Sequence, residues 1–196
     1  MLRTIQLTRT DNLVYRLAGI ALFVALIAIG AQIELYIGSP VPFTLQVLFV
    51  LLAGMVLGSR DGAATTAAYL GLIALGAPIA AGGAGFSALQ GATVGYIVGF
   101  IPAAFVAGWL VENGAKKVWQ RWIAGLVGVA IIYAFGTPVL KFWFDAFGNG
   151  ASWQQAWQWA VAPFIVADIL KALFAASVVE ATRALLLMNS DTVKEQ

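Results

Sequence analysis

The chain has 196 residues, 61% of them hydrophobic and only 10% charged, against ~25% charged residues in an ordinary soluble domain. A small domain has too much surface for its volume to hide that much apolar side chain, whereas lipid absorbs it, so the composition excludes a soluble globule and indicates an α-helical membrane protein. Cys and His are absent, which excludes disulfides, thiol nucleophiles, Cys/His zinc sites and imidazole acid–base chemistry, and a net charge of +2 gives no reason to expect nucleic acid.

A crossing helix needs ~20 apolar residues. In chain order, hydropathy predicts spans at 15–35, 44–57, 62–75, 91–111, 122–144 and 160–187: one integral membrane domain over 1–196, built as a bundle of six transmembrane helices. The second and third spans are short, so tilt or extension into neighbouring loops is expected. The sixth is longer than a bilayer requires and is expected to protrude into water. Between the first two spans lies a loop, 36–43, with Gly38, Pro40 and Pro42. A second loop, 76–90, carries Pro78, Gly82, Gly83 and Gly85.

Six spans put both termini on one side. That side takes Arg3, Arg9, Arg16, Arg60, Lys116, Lys117, Arg121, Arg183 and Lys194, nine of the eleven basic residues. The other two, Lys141 and Lys171, fall inside predicted spans. Positive charge is retained in the cytoplasm, so both termini are expected there. The tryptophans agree with this placement. Trp109, Trp119 and Trp122 fall at inner span ends, and Trp143, Trp153, Trp157 and Trp159 at outer ends or loops, the interfacial depth that indole rings prefer. Arg9 and Arg16 ahead of the apolar run 17–29 also fit a cleaved secretory signal, which would leave five spans. The uncleaved six-span arrangement is expected, because the positive charge and the span count agree on it.

Asp168 and Lys171 are three apart on the sixth predicted helix and therefore share a face. A charge at the bilayer centre costs roughly 2.5–3.5 kcal/mol on insertion scales, so such residues face a partner or a cavity. One explanation is a neutralising pair that joins helices. The other is a polar clamp, an acceptor for N–H groups beside a donor for a carbonyl or carboxylate. The segments Pro40-Val41-Pro42-Phe43-Thr44-Leu45-Gln46 and Ala81-Gly82-Gly83-Ala84-Gly85-Phe86 lie on the same side of the predicted membrane. Ordinary turns account for them on composition alone. Their convergence with a buried charged pair favours a binding site open to the outside, since irregular backbone at membrane depth is tolerated where it lines a cavity.

Ala18, Ala21, Ala25 and Ala28 form a small-residue stripe on the first helix, suited either to packing within the bundle or to docking of a second protein. Lys141 and Asp145 are spaced as a pair across one turn. Snorkelling explains Lys141, and an anionic ligand group is an alternative partner. Glu34 is expected at the outer end of the first helix, and Pro102 and Pro138 fall inside helices, where they favour kinks. The phosphate-cradling motif Gly-x-x-x-x-Gly-Lys-Ser/Thr is absent, as are carboxylate clusters and metal-ligand spacings, so neither ATP hydrolysis nor another enzymatic activity is expected.

Several motifs taken together resemble one family. They are Pro40-x-Pro42-x-Thr44-Leu45-Gln46; Tyr69-Leu70-Gly71-Leu72 leading to Gly76-Ala77-Pro78; Gly82-Gly83-x-Gly85-Phe86; Gly91-x-Thr93-x-Gly95-Tyr96-x-x-Gly99-Phe100; and Asp168-x-x-Lys171. In this order, over most of the chain, they are similar to the biotin-specific membrane subunit (BioY family) of energy-coupling factor transporters, the S component. Ala92 departs from the proline common there, which alters a loop-to-helix junction more than ligand chemistry.

The resemblance implies six helices in the plasma membrane of a prokaryote and an outward-facing biotin pocket. Asp168 and Lys171 would meet the ureido ring of biotin, and Thr44, Gln46, Gly82, Gly83, Gly85, Phe86 and Tyr96 would line the pocket. It further implies docking onto a transmembrane coupling subunit with two ATPase subunits through Ala18, Ala21 and Ala25, with no cofactor and biotin as the transported ligand. Other readings remain: an S component for another vitamin, a proton-coupled carrier with Asp168 as the titrating group, or a membrane enzyme or purely structural subunit, the enzyme disfavoured by the missing catalytic constellation.

Overall fold

The computed structural model describes residues 13–36 and 38–192, with side chains described as far as residue 185. Arg3, Arg9 and Lys194, counted above in the charge asymmetry, lie outside the described residues.

Among the described residues there are seven α-helices: α1 (Leu13–Gln32), α2 (Gln46–Leu57), α3 (Ser59–Ala74), α4 (Val94–Glu112), α5 (Val118–Phe147), α6 (Trp153–Ala160) and α7 (Ile165–Thr192). α1, α4 and α5 are each long and apolar enough to cross a membrane, and α6 with α7, bent by 44°, pass the same test together. α2 has 12 residues. At 1.5 Å per residue that is ~18 Å, short of a hydrocarbon core of ~30 Å.

Several boundaries differ from expectation. α1 stops at Gln32 instead of 35, and the chain then forms a two-stranded antiparallel ribbon, β1 (Glu34–Leu35) with β2 (Phe43–Thr44), pairing Glu34 with Thr44 and Leu35 with Phe43. Glu34 therefore sits on a strand and not at a helix end. Residues 59–62 are the first turn of α3, because Gly58, at φ 88°, reverses the chain between α2 and α3 without a loop.

The largest difference is α6, in a stretch expected to be loop. Ser152 caps it: its hydroxyl accepts from the Gln155 amide while the Gln155 side chain accepts from the Ser152 amide. Ala156 and Ala160, four apart, are buried, while Trp153 and Trp157 are exposed. The turn after α6 breaks the long helix expected from residue 160, and α7 starts at Ile165.

Small residues set the closest approach in the bundle. A Cβ on Gly108 of α4 would fall 2.5 Å from the Gly54 carbonyl oxygen of α2, and one on Gly62 of α3 would fall 2.6 Å from Gly54 Cα. Three backbones thus meet where any larger residue would force them apart. Near the described termini the helix ends are tied by polar contacts. Arg16 pairs with Asp61 at 2.6 Å, Glu112 accepts from the amide and hydroxyl of Ser59 at 3.0 and 2.7 Å, and Arg121 pairs with Glu180. At the opposite end, Tyr69, Tyr96, Phe100, Ile132, Val161 and Phe164 belong to one packed cluster, and this cluster borders a cavity.

Candidate ligand-binding site

Asp168 and Lys171 lie on the face of α7 turned into the bundle, 3% and 8% exposed. The Lys171 ammonium donates to Asp168 Oδ1 at 2.7 Å and to the Thr44 carbonyl at 2.7 Å, and stands 4.0 Å from the centre of the Phe43 ring. Its charge is thereby met by an anion, a carbonyl dipole and a π face. The ribbon makes this possible. Pairing of Thr44 with Glu34, and a hydrogen bond from the Leu45 amide to the Gly30 carbonyl at 3.1 Å, hold the backbone of residue 44 against α7.

From Thr44 a polar chain continues. The Thr44 hydroxyl donates to Gln46 Oε1 at 3.0 Å, Gln46 Nε2 donates to the Tyr69 hydroxyl at 2.8 Å, and Tyr69 donates to the Ile79 carbonyl at 3.0 Å. On the far side of Asp168, the Tyr133 hydroxyl donates to Oδ2 at 2.6 Å. Tyr96 donates to the Ala160 carbonyl at 3.1 Å, and its ring rests on Gly136, where a Cβ would fall 2.5 Å away. Thr44, Gln46, Tyr69, Tyr96 and Asp168 are buried, Tyr133 is half-buried, and each is hydrogen-bonded, as buried polar groups must be to avoid a desolvation penalty.

The network borders a cavity of about 190 Å³. One water needs ~10–15 Å³ on such a measure, so the space suits a small organic molecule. Thr44, Gln46, Tyr96, Asp168 and Lys171 all line it, beside Val41, Phe100, Ile132 and Phe164 on the apolar walls. Its cover is pinned at two points: the Ser39 hydroxyl donates to the Trp159 carbonyl at 2.6 Å, and Gln32 Nε2 donates to the Ala80 carbonyl at 3.1 Å.

Gly82, Gly83, Gly85 and Phe86 stand outside the lining. Their loop reaches the cavity through Ala80, Ala81, Ala84 and Ala88. Gly82 and Gly83, both at φ 68°, make the turn that presents these alanines, and Gly85 packs on Gly76, where a Cβ would fall 2.6 Å from the carbonyl oxygen. Phe86 is 53% exposed. Lys141 also lies outside the lining; it pairs with Asp145 and sits 5.5 Å from the centre of the Trp153 ring. Ala18, Ala21 and Ala25 are exposed, since α1 buries Phe23, Ile27, Gly30 and Ala31 instead.

Sequence reading named Tyr69 and Phe43 only as members of motifs, without a role of their own, and did not single out Tyr133. A signal existed for Tyr133, because a phenol in the middle of an apolar span needs a hydrogen-bond partner within the protein. Tyr69 offered the same cue within the third span. Phe43 lay within the 40–46 segment expected beside the site, but its contact with the Lys171 ammonium depends on where the ribbon places it.

A helical membrane bundle that shelters a satisfied charged pair at the edge of a small cavity defines a membrane-embedded binding protein for a small polar molecule. Residues 4–187 match the model of the BioY family, and the chain belongs to that family. It is 43% identical over 162 residues to a probable biotin transporter BioY of Pyrococcus horikoshii, covering 82% of this chain and 91% of the relative. It is 41% identical over 158 residues to the biotin transporter BioY of Thermotoga maritima, covering 79% and 88%. Among solved structures it is similar to the S-component for biotin from an ECF-type ABC transporter, with a TM-score of 0.79, 26% identity, and coverage of 89% of this chain and 94% of that one.

Proposed function

We propose that this chain takes up biotin, capturing it on the outer side and delivering it to the cytoplasm as the substrate-binding subunit of an energy-coupling factor transporter. It acts as a transporter subunit and not as an enzyme. The observation that carries this reading is the buried Asp168–Lys171 pair at the edge of a cavity in a chain of the BioY family. A pair serving only as glue is closed off by packing; this one borders open space. A cyclic urea presents N–H donors beside a carbonyl acceptor. Asp168 takes an N–H, and Lys171, with a third N–H beyond those given to Asp168 and Thr44, donates to the carbonyl. Thr44, Gln46 and Tyr96 flank the ring. The loop with Gly82, Gly83, Gly85 and Phe86 covers the apolar part of the ligand.

The finer architecture belongs to the same proposal: one membrane domain over the whole chain, six crossings, both termini cytoplasmic, in the plasma membrane of a prokaryote. Arg16, Arg60, Lys116, Lys117, Arg121 and Arg183, on the described helix ends and loops near the termini, support the orientation. Docking on a transmembrane coupling subunit with two ATPases through Ala18, Ala21 and Ala25 is supported by the exposure of those residues. Energy then comes from the partner.

Calorimetric titration of the detergent-solubilised protein with biotin, beside an Asp168→Asn/Lys171→Met double variant, tests the reading. Saturable binding by the parent and its loss in the variant are expected. A folded, ligand-free parent that does not bind biotin sinks the biotin assignment.

A further inference from the structure

Asp168 is held from two different elements. Lys171, one turn along the same helix, takes Oδ1 at 2.7 Å, and Tyr133, from α5, takes Oδ2 at 2.6 Å. The direction of the second bond is unambiguous, because a carboxylate only accepts and the phenol must donate. The two contacts act differently. Lys171 is a neighbour on α7, and a carboxylate left to it alone can turn about its own side-chain torsion to chelate the ammonium. Tyr133 pulls the other oxygen toward α5 and so fixes the plane of the carboxylate relative to the cavity, which Tyr133 itself helps to line. Each carboxylate oxygen has a second lone pair, so these bonds leave acceptor capacity for a ligand N–H.

We propose that Tyr133 is a positioning residue for the binding site: its hydroxyl holds the Asp168 carboxylate in the orientation that accepts a ureido N–H, and so sets affinity for the urea ring and not for the rest of the ligand. The inference rests on the biotin reading above. Orientation of an acceptor by a fixed donor is worth about one hydrogen bond, so Tyr133→Phe weakens biotin binding about tenfold.

The test is calorimetric titration of the detergent-solubilised parent and Y133F with four ligands: biotin, desthiobiotin, and the two biotin isomers methylated on one or the other ureido nitrogen. Desthiobiotin keeps the cyclic urea and lacks the thioether bridge, so Y133F loses the same factor on it as on biotin. On the isomer that lacks the N–H accepted by Asp168, parent and Y133F bind alike. Equal binding of biotin by parent and Y133F overturns the proposal. So does an equal loss on all four ligands, which is the mark of a packing role. Should Y133F lack a cooperative thermal unfolding transition, 4-aminophenylalanine and 4-methylphenylalanine introduced at position 133 carry the test. The amine keeps an N–H donor at the reach of the phenol and binds biotin about tenfold more tightly than the methyl variant, and equality of the two overturns the proposal. A parent that fails to bind biotin overturns both this inference and the reading beneath it. A parent that binds while Y133F is unaffected overturns this one alone.

Discussion

Two ion pairs join buried charges between or along helices of this bundle, and they differ in what lies beside them. Arg121 is 1% exposed and pairs with Glu180, whose side chain is 36% exposed, at the end of the bundle near the described termini. Asp168 and Lys171 are both buried, at the opposite end, with a cavity at their side. In the first pair one partner keeps access to solvent, and the charge ties α5 to α7. In the second pair neither partner does, and the missing solvation is supplied by Tyr133, the Thr44 carbonyl and the Phe43 ring. A pair with one wet partner serves as a clasp. A pair wrapped in protein donors and acceptors, with free space beside it, is prepared to exchange some of those contacts for a ligand.

Breaking the second pair from one side gives the largest expected effect. Lys171→Met leaves a buried carboxylate without its cation and costs about 3–5 kcal/mol of stability, read by SDS-titration unfolding, together with all measurable biotin binding. The Asp168→Asn/Lys171→Met double variant recovers a large part of that stability, because both charges are gone, and recovers no binding. Equal stability of the single and double variants would remove the argument that the pair compensates its own burial.

Arg121→Met comes next. Glu180 can turn to solvent once its partner is lost, so the cost falls to about 1–3 kcal/mol, and biotin affinity of the folded variant stays within about twofold of the parent. A large loss of affinity with unchanged stability would mean that the clasp communicates with the cavity. Lys141→Met is the smallest. Its pair with Asp145 is partly exposed and lies outside the cavity lining, so stability changes by about 0–1 kcal/mol and affinity by less than about twofold, both checked on the same titrations. A tenfold loss of affinity would place Lys141 against the ligand carboxylate after all.

Much of the frame was legible in the residues. Long apolar runs predicted α1, α4 and α5 to within a few positions, because a helix is the only way a single segment satisfies its own backbone in lipid. The spacing of Asp168 and Lys171 by itself puts them on one helix face. α6 was missed because eight residues with three glutamines carry no span signal, although Ser152 and Gln155 already spelled a capping box. The glycine loop was expected to line the pocket through Gly82, Gly83, Gly85 and Phe86; it meets the cavity through Ala80, Ala81, Ala84 and Ala88, because the direction of a turn made by two left-handed glycines is fixed by packing.

Sequence by itself determined that this chain is a helical membrane protein, where its long apolar helices run, and which two charged residues sit too deep to be incidental. These follow from local composition and spacing, since hydropathy and helical period act along the chain. Only the tertiary structure decided who completes the pair. Thr44 is 127 residues from Lys171, and Tyr133 is 35 from Asp168. No periodicity links such positions. They meet because the small-residue contacts of α2, α3 and α4, the ribbon at residues 34–35 and 43–44, and the packing of α5 on α7 bring them within hydrogen-bonding distance around one cavity.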